Sequence, residues 1–147
     1  MKKRIDKSYC VGLAVTLILA AGAAQAVPSC KNIVANPLNF PAYDVYNATA
    51  TDTSTTVAYS CPPPATPAVD ISAGGGGSFN PRLMSNGASK LAYNVYVDST
   101  RTQIWGATPI AVPAGNGLSV TVYGRIFAQQ DVAVGTYTDS LVVTFNF

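Results

Sequence analysis

Apolar and polar residues alternate along Thr136 to Phe147: Leu141, Val143, Phe145 and Phe147 fall on one side of an extended chain, Val142, Thr144 and Asn146 on the other. Side chains of a strand point alternately to its two faces, so this pattern predicts a terminal strand with one buried face. β-Branched and aromatic residues dominate the stretch, and neither Gly nor Pro interrupts it, which suits a pleated, half-buried surface. No turn and no further segment follow Phe147 in the sequence. An apolar strand with an uncovered edge is a template for pairing, and a second chain is the expected cover for this one.

The same period recurs upstream. Thr55 to Cys61 turns Val57, Tyr59 and Cys61 inward, and Pro62-Pro63-Pro64 ends the strand because proline supplies no ladder donor. Ala68 to Ala73 reads as a short strand with Val69 and Ile71 inward. Lys90 to Asp98 places Leu91, Tyr93, Val95 and Val97 on one face and Asn94, Tyr96 and Asp98 on the other. Leu118 to Phe127 turns Leu118, Val120, Val122 and Ile126 inward, with Thr121, Tyr123 and Arg125 outward. Lys31 to Tyr46, interrupted by Pro37 and Pro41, suits a broken first strand or an edge. Ile104-Trp105-Gly106 reads as an apolar plug from a loop. Gly74 to Gly77 lacks the Gly-Lys-Ser/Thr of a phosphate loop and reads as a turn. With no helical stripe beyond residue 26, these segments predict an all-β, antiparallel two-sheet sandwich, one strand short of an immunoglobulin-like arrangement.

The start of the chain changes the charge. Lys2, Lys3, Arg4 and Lys7 precede an apolar run from Val11 to Ala21, and Ala24-Gln25-Ala26 follows. This is the layout of an export signal over 1–26, with an apolar run too short to span a bilayer comfortably. It leaves one domain, 27–147, with no membrane span. The domain keeps five bases against six acids, so nothing attracts it strongly to nucleic acid or anionic membrane. Cys10 leaves with the signal, and Cys30 and Cys61 are expected to pair in an oxidising compartment. Cys30 also stands where a lipid-bearing cysteine would, although Pro28 suits such a site poorly.

Candidate chemistry is sparse. The chain has no His and no Glu, which removes most acid-base and nucleophilic constellations. Asp98 and Asp139 are a conceivable carboxylate pair, but no Asp-x-Asp spacing supports a calcium loop. Arg82, Arg101 and Arg125 are candidates for an anion or sugar, against the simpler reading of surface hydrogen bonds. No enzyme, cofactor or metal is expected.

Taken together and in order, Cys30 and Cys61, Tyr43-Asp44, Phe79-Asn80-Pro81-Arg82-Leu83-Met84, Leu91-Ala92-Tyr93-Asn94-Val95-Tyr96-Val97-Asp98, Trp105-Gly106, Val122-Tyr123-Gly124-Arg125-Ile126 and Gly135-Thr136-Tyr137-Thr138-Asp139 resemble the spore coat protein U domain, a family that includes the Csu-type pilins. The resemblance implies an incomplete immunoglobulin-like sandwich lacking its final strand. It implies a subunit of an archaic chaperone-usher pilus or coat-like layer that passes through the periplasm to the cell surface and supports adhesion or biofilm formation. Its partners would be a periplasmic pilus chaperone, an outer-membrane usher and other pilus subunits, joined by β-strand addition. Leu141, Val143, Phe145 and Phe147 would then form the interface with the donor strand or chaperone. Two features depart from the family. Only Val27-Pro28-Ser29 would precede Cys30 after cleavage, where polymerising members carry a donor segment, and the family's Trp-Gly-Asp-Gly reads Trp105-Gly106-Ala107-Thr108. The first departure raises an alternative, a terminal or tip adhesin or carbohydrate-binding module that accepts a strand without giving one, with outward Tyr96 and Tyr123 as its binding aromatics.

Overall fold

The computed structural model describes residues 27–147; the expected export signal lies outside the described residues. Among the described residues eight strands form: β1 (Lys31–Ala35), β2 (Thr51–Cys61), β3 (Ala68–Ile71), β4 (Arg82–Asn86), β5 (Ser89–Tyr96), β6 (Ile110–Ala111), β7 (Gly115–Ile126) and β8 (Val143–Asn146). They make a five-stranded sheet in the order β1-β2-β7-β5-β4 and a three-stranded sheet in the order β6-β3-β8. Every pairing is antiparallel.

The alternating segments bury most of the residues their pattern selects; Val97, Leu118 and Val120, also expected inward, are only half-buried. Val57, Tyr59 and Cys61 of β2, Val69 and Ile71 of β3, Leu91, Tyr93 and Val95 of β5, and Val122 and Ile126 of β7 are all buried. β2 and β7 run longer than their apolar stretches, because Thr51 to Ser54 pair in register with Tyr123 to Ile126 and Thr suits a strand without being apolar. Trp105 is fully buried. Its indole N–H donates to the Val69 carbonyl at 3.1 Å, and its backbone N–H donates to Val95 at 2.9 Å. The plug therefore joins the two sheets.

Two strands escape the period-two reading. β6 has only two residues, too few to show a period. β4, Arg-Leu-Met-Ser-Asn, points Arg82 and Met84 inward. An arginine at a core position breaks the apolar pattern. Arg82 is tolerated there because its guanidinium donates to three carbonyls, of Ser72 at 3.0 Å, Ile71 at 3.0 Å and Trp105 at 2.7 Å. It also lies 5.1 Å from the Phe79 ring centroid, a cation–π distance. Tyr96, expected outward, is buried, as is Asn94. Asn94 holds the start of β4, its side-chain oxygen accepting from the Arg82 backbone N–H at 3.1 Å.

Cys30 and Cys61 are bonded, across a sequence separation of 31. β1 buries none of its five residues and pairs only with β2, so the bond adds a covalent tether to that ladder. On the chain-entropy account a loop of this length is stabilised by roughly 3 to 4 kcal/mol. Reduction, or Cys30→Ala with Cys61→Ala, is expected to lower unfolding free energy by that amount. Urea midpoints with and without reductant check it, and an unchanged midpoint would contradict it.

Candidate functional site

A groove of about 380 Å³ opens between the sheets. One wall is the chain leaving β1, Ala35 to Phe40; the other is the chain entering β8, Tyr137 to Val143. Val57, Ile71, Met84, Tyr93 and Val122 line it between these walls. Its apolar lining follows from the alternation already described, since these are inward positions of five different strands.

Local sequence explains each wall. Pro37 and Pro41 prevent the first segment from continuing the β1 ladder. Side chains hold it instead: Thr53 Oγ1 donates to the Asn39 carbonyl at 2.7 Å and Thr55 Oγ1 to Asn36 at 3.3 Å. Phe40 meets Tyr93 edge-on, with centroids 6.1 Å apart. Gly124 makes room for this, because a Cβ there would stand 2.7 Å from Phe40 Cζ and 2.9 Å from Leu38 Cδ2.

The second wall changes sheets. Thr138 exchanges backbone bonds with Ser85 of β4, at 2.8 and 3.1 Å, while β8 pairs with β3 from Ile71↔Val143 to Ala68↔Asn146. The expected continuous strand from Thr136 to Phe147 is thus two pieces joined by a crossing at Asp139 to Leu141. Tyr137 anchors the first piece, its hydroxyl donating to the Ala133 carbonyl at 2.7 Å and lying 2.6 Å from Ser89 Oγ.

β8 is the outermost strand of its sheet. The Val142 N–H donates to Ser72 Oγ and its carbonyl accepts from the Ser72 N–H, both at 2.9 Å. Backbone groups alternate direction along a strand, so those of Leu141, Val143 and Phe145 face away from β3. Their side chains meanwhile pack toward the core. The site therefore offers an apolar trough with unpaired main-chain groups along one rim.

The four residues expected at this interface are placed differently. Leu141 and Val143 line the groove. Phe145 lies further along β8, its ring centroid 5.1 Å from that of Tyr59. Phe147 follows β8 and is exposed. Among the residues that sequence reasoning missed, Met84, Leu38 and Phe40 also line the groove. The Leu-x-Phe spacing of Leu38 and Phe40 was a usable signal, obscured by the prolines on either side.

The polar candidates separate. Asp139 Oδ2 accepts from the Tyr93 hydroxyl at 2.7 Å, and Oδ1 from the N–H of Gly75 at 2.7 Å and of Ser140 at 2.8 Å. Burial, reinforced by the bond to Asp139, pushes the Tyr93 phenol well above its ordinary value, so it remains a donor. Asp98 turns back on its own loop, to the Thr100 hydroxyl, both Thr102 donors and the Gln103 N–H. The Thr100 hydroxyl first, then the Gln103 and Thr102 N–H groups, hold its carboxyl below the ordinary range. Asp98 lies five residues past Tyr93, about 16 Å along an extended chain, and makes no pair with Asp139. Arg101 and Arg125 both meet Asp52, at 3.3 and 2.8 Å, and the Arg125 hydrogen bond is the main cause of that carboxyl's lowered pKa. Arg82 is a core residue. Arg101 and Arg125 are thus committed to Asp52, while Arg82 is enclosed in the core with its Nη1 left without a hydrogen-bond partner. Tyr123 is half-buried with the Arg101 guanidinium 5.8 Å from its ring centroid. Among the described residues no three metal-ligating groups gather, and no helix is long and apolar enough to cross a membrane.

The sequence matches the Spore Coat Protein U domain over residues 14–144. The chain belongs to this family. The match begins within the stretch read as an export signal. Protein U of Myxococcus xanthus is 43% identical over 72 residues, 45% of this chain and 40% of that protein. Among solved structures, the CsuC–CsuE chaperone–tip adhesion subunit pre-assembly complex, from archaic chaperone-usher Csu pili of Acinetobacter baumannii, superposes with a TM-score of 0.62. That likeness has 20% identity and covers 82% of this chain and 40% of that one. The chain thus spans about 40% of the length of either relative. As a member of the spore coat protein U family with this superposition, the chain has the expected all-β, antiparallel, incomplete immunoglobulin-like sandwich.

Proposed function

We propose that this spore coat protein U domain is an exported structural subunit of a chaperone-usher pilus or coat-like surface layer, completed by a β-strand from another protein. One observation carries the reading: an apolar groove bounded by the unpaired edge of β8. Its volume of about 380 Å³ is also that of a small-molecule cleft, which runs from about 300 to 1,000 Å³. A small molecule, however, makes no use of main-chain groups repeating along a wall. An added strand uses them all, pairing with the edge while alternate side chains enter the trough. In the Acinetobacter complex a tip subunit of the pilus is held by a chaperone before assembly, which supports a periplasmic chaperone as first donor here and a neighbouring subunit as the next. An usher and a role in adhesion follow from the same reading.

Of the two aromatics on which the tip-adhesin alternative rests, Tyr96 is buried and Tyr123 is half-buried beside Arg101, which leaves that alternative with Tyr123 alone. Hydrogen exchange tests the main reading. The amides of Val143 and Phe145 are expected to exchange rapidly in the isolated chain and to become at least about 100-fold slower when a chaperone or donor segment is bound, a gain of roughly 2.7 kcal/mol in local opening. Protection of both amides in the isolated monomer would overturn it.

A further inference from the structure

A second apolar cavity, of about 230 Å³, lies past one end of the groove. Its walls are the same two segments carried further: Ala42, Tyr43 and Val45 follow the wall that ends at Phe40, and Val132 to Gly135 precede the wall that begins at Tyr137. Tyr137 borders both spaces. The floor continues as well. Tyr93 lines the groove, and Leu91, two residues earlier on the same inward face of β5, lines the cavity. Phe40 and Ala42 repeat that step along the first wall. Two residues of a strand span about 6.7 Å, which is also the spacing of successive inward side chains on an added strand.

Size and lining decide what the cavity holds. A benzene ring occupies an apolar cavity of about 150 Å³, and small-molecule clefts begin at about 300 Å³; this one, at about 230 Å³, lies between. One large side chain fits. Both phenols in the lining are engaged, the Tyr137 hydroxyl donating to the Ala133 carbonyl at 2.7 Å and the Tyr43 hydroxyl accepting from the Gln130 N–H at 2.7 Å. Among the described residues no charged side chain borders the cavity. Tyr43, Val132 and Tyr137 pack on the core, so the back is fixed, whereas Val134 at the mouth is fully exposed. An uncovered apolar side chain beside an apolar hollow marks a contact that a partner completes.

Resting on the strand-acceptor reading above, we propose that this cavity is a specificity subsite for the incoming strand, receiving one large apolar side chain, best an aromatic one, one pleat beyond the stretch that pairs with β8. The main-chain groups of β8 hold the strand whatever its sequence, and the cavity reads one residue of it. Alanine at that residue leaves the hollow unfilled and its lining without contacts. Aspartate loses water there and gains no partner.

The test uses the disulfide-bonded chain and synthetic strands of about twelve residues with valine at all inward positions. Phenylalanine and alanine replace each inward valine in turn, and dissociation rates are measured. At one inward position near an end of the strand, phenylalanine is expected to slow dissociation roughly tenfold or more relative to alanine. Ala42→Phe places a ring in the cavity from an exposed wall position. In that variant the preference at this one position is expected to fall within about twofold, with the preferences elsewhere and the all-valine strand unchanged, whereas a general packing role for Ala42 would weaken every strand alike. If strands bind but Ala42→Phe leaves the whole profile as it was, the inference is overturned and the groove reading stands. Concentration-dependent dimerisation of the chain that Ala42→Phe abolishes would assign the cavity to a second copy and likewise overturn it. If no strand binds, both readings fall. Ala133→Phe fills the cavity from the opposite wall should Ala42→Phe fail to fold; if neither folds, the scan on the natural chain decides, and the lack of any end position preferring phenylalanine overturns the proposal.

Discussion

An alternating apolar peptide of about twelve residues, bound with a Kd near 1 μM and supplied at about 100 μM, is expected to raise the chain's thermal midpoint by about 10 °C. The groove accounts for the affinity: three large side chains buried there contribute roughly 1.5 to 3 kcal/mol each before ordering of the peptide is subtracted. At 100 times Kd the native state gains about 2.7 kcal/mol, and each kcal/mol moves the midpoint of a domain this size by about 4 °C. Val143→Asp is expected to abolish the shift. Its carboxylate would point into the trough that Leu141 and Val143 line, where a covering strand leaves it neither water nor a partner. Thr144→Asp is the control, because Thr144 is exposed on the opposite face of β8 and the shift should persist. Equal shifts in the natural chain and in Val143→Asp would place the binding site elsewhere.

Arg82→Ala is expected to remove about 3 to 5 kcal/mol of stability, a large share of the margin in a domain whose total is about 5 to 15 kcal/mol. The loss has two sources. The Ile71, Ser72 and Trp105 carbonyls lose the donor they share, and buried acceptors without partners are costly. The side chain is also fully buried, so truncation leaves a cavity. Arg82→Met separates the two effects: it restores volume but not donors and is expected to recover less than half of the loss. Arg82→Lys keeps the charge but lacks the planar fork that reaches three acceptors. By contrast, Arg125→Ala breaks only a partly exposed pair with Asp52, worth about 1 kcal/mol or less. Urea midpoints of the four variants check the ranking, and a stable Arg82→Ala chain would refute the core role.

The groove depends on where a few irregular residues send the chain. Leu38 and Phe40 enter it because Gly124 leaves them space and Tyr93 offers its ring edge. Both partners lie far from them in sequence, and no local period encodes either contact. Asp139 is legible in the sequence only as an isolated acid. Its meaning comes from Gly75 and Tyr93, 64 and 46 residues away. Tyr96 reads as exposed because alternation assigns faces without saying whether both faces are covered. The Ile104–Trp105 segment runs beside it, with Ile104 bridging Tyr96. Arg82 hides β4 for a related reason: a buried cation violates the apolar pattern, and the carbonyls that make it tolerable gather only after folding.

From residues alone came the β class, the inward faces of β2, β3, β5 and β7, the Cys30–Cys61 bond and an alternating apolar terminal segment. Those follow from a two-residue period and from cysteine chemistry, both local properties of the chain. Which edge stays open was settled in three dimensions, by the passage of Thr138 to Val142 from one sheet to the other and by the prolines that turn Ala35 to Phe40 away from the ladder. An unpaired edge is a relation between distant segments, and backbone amides carry no mark in the sequence of whether a partner will reach them.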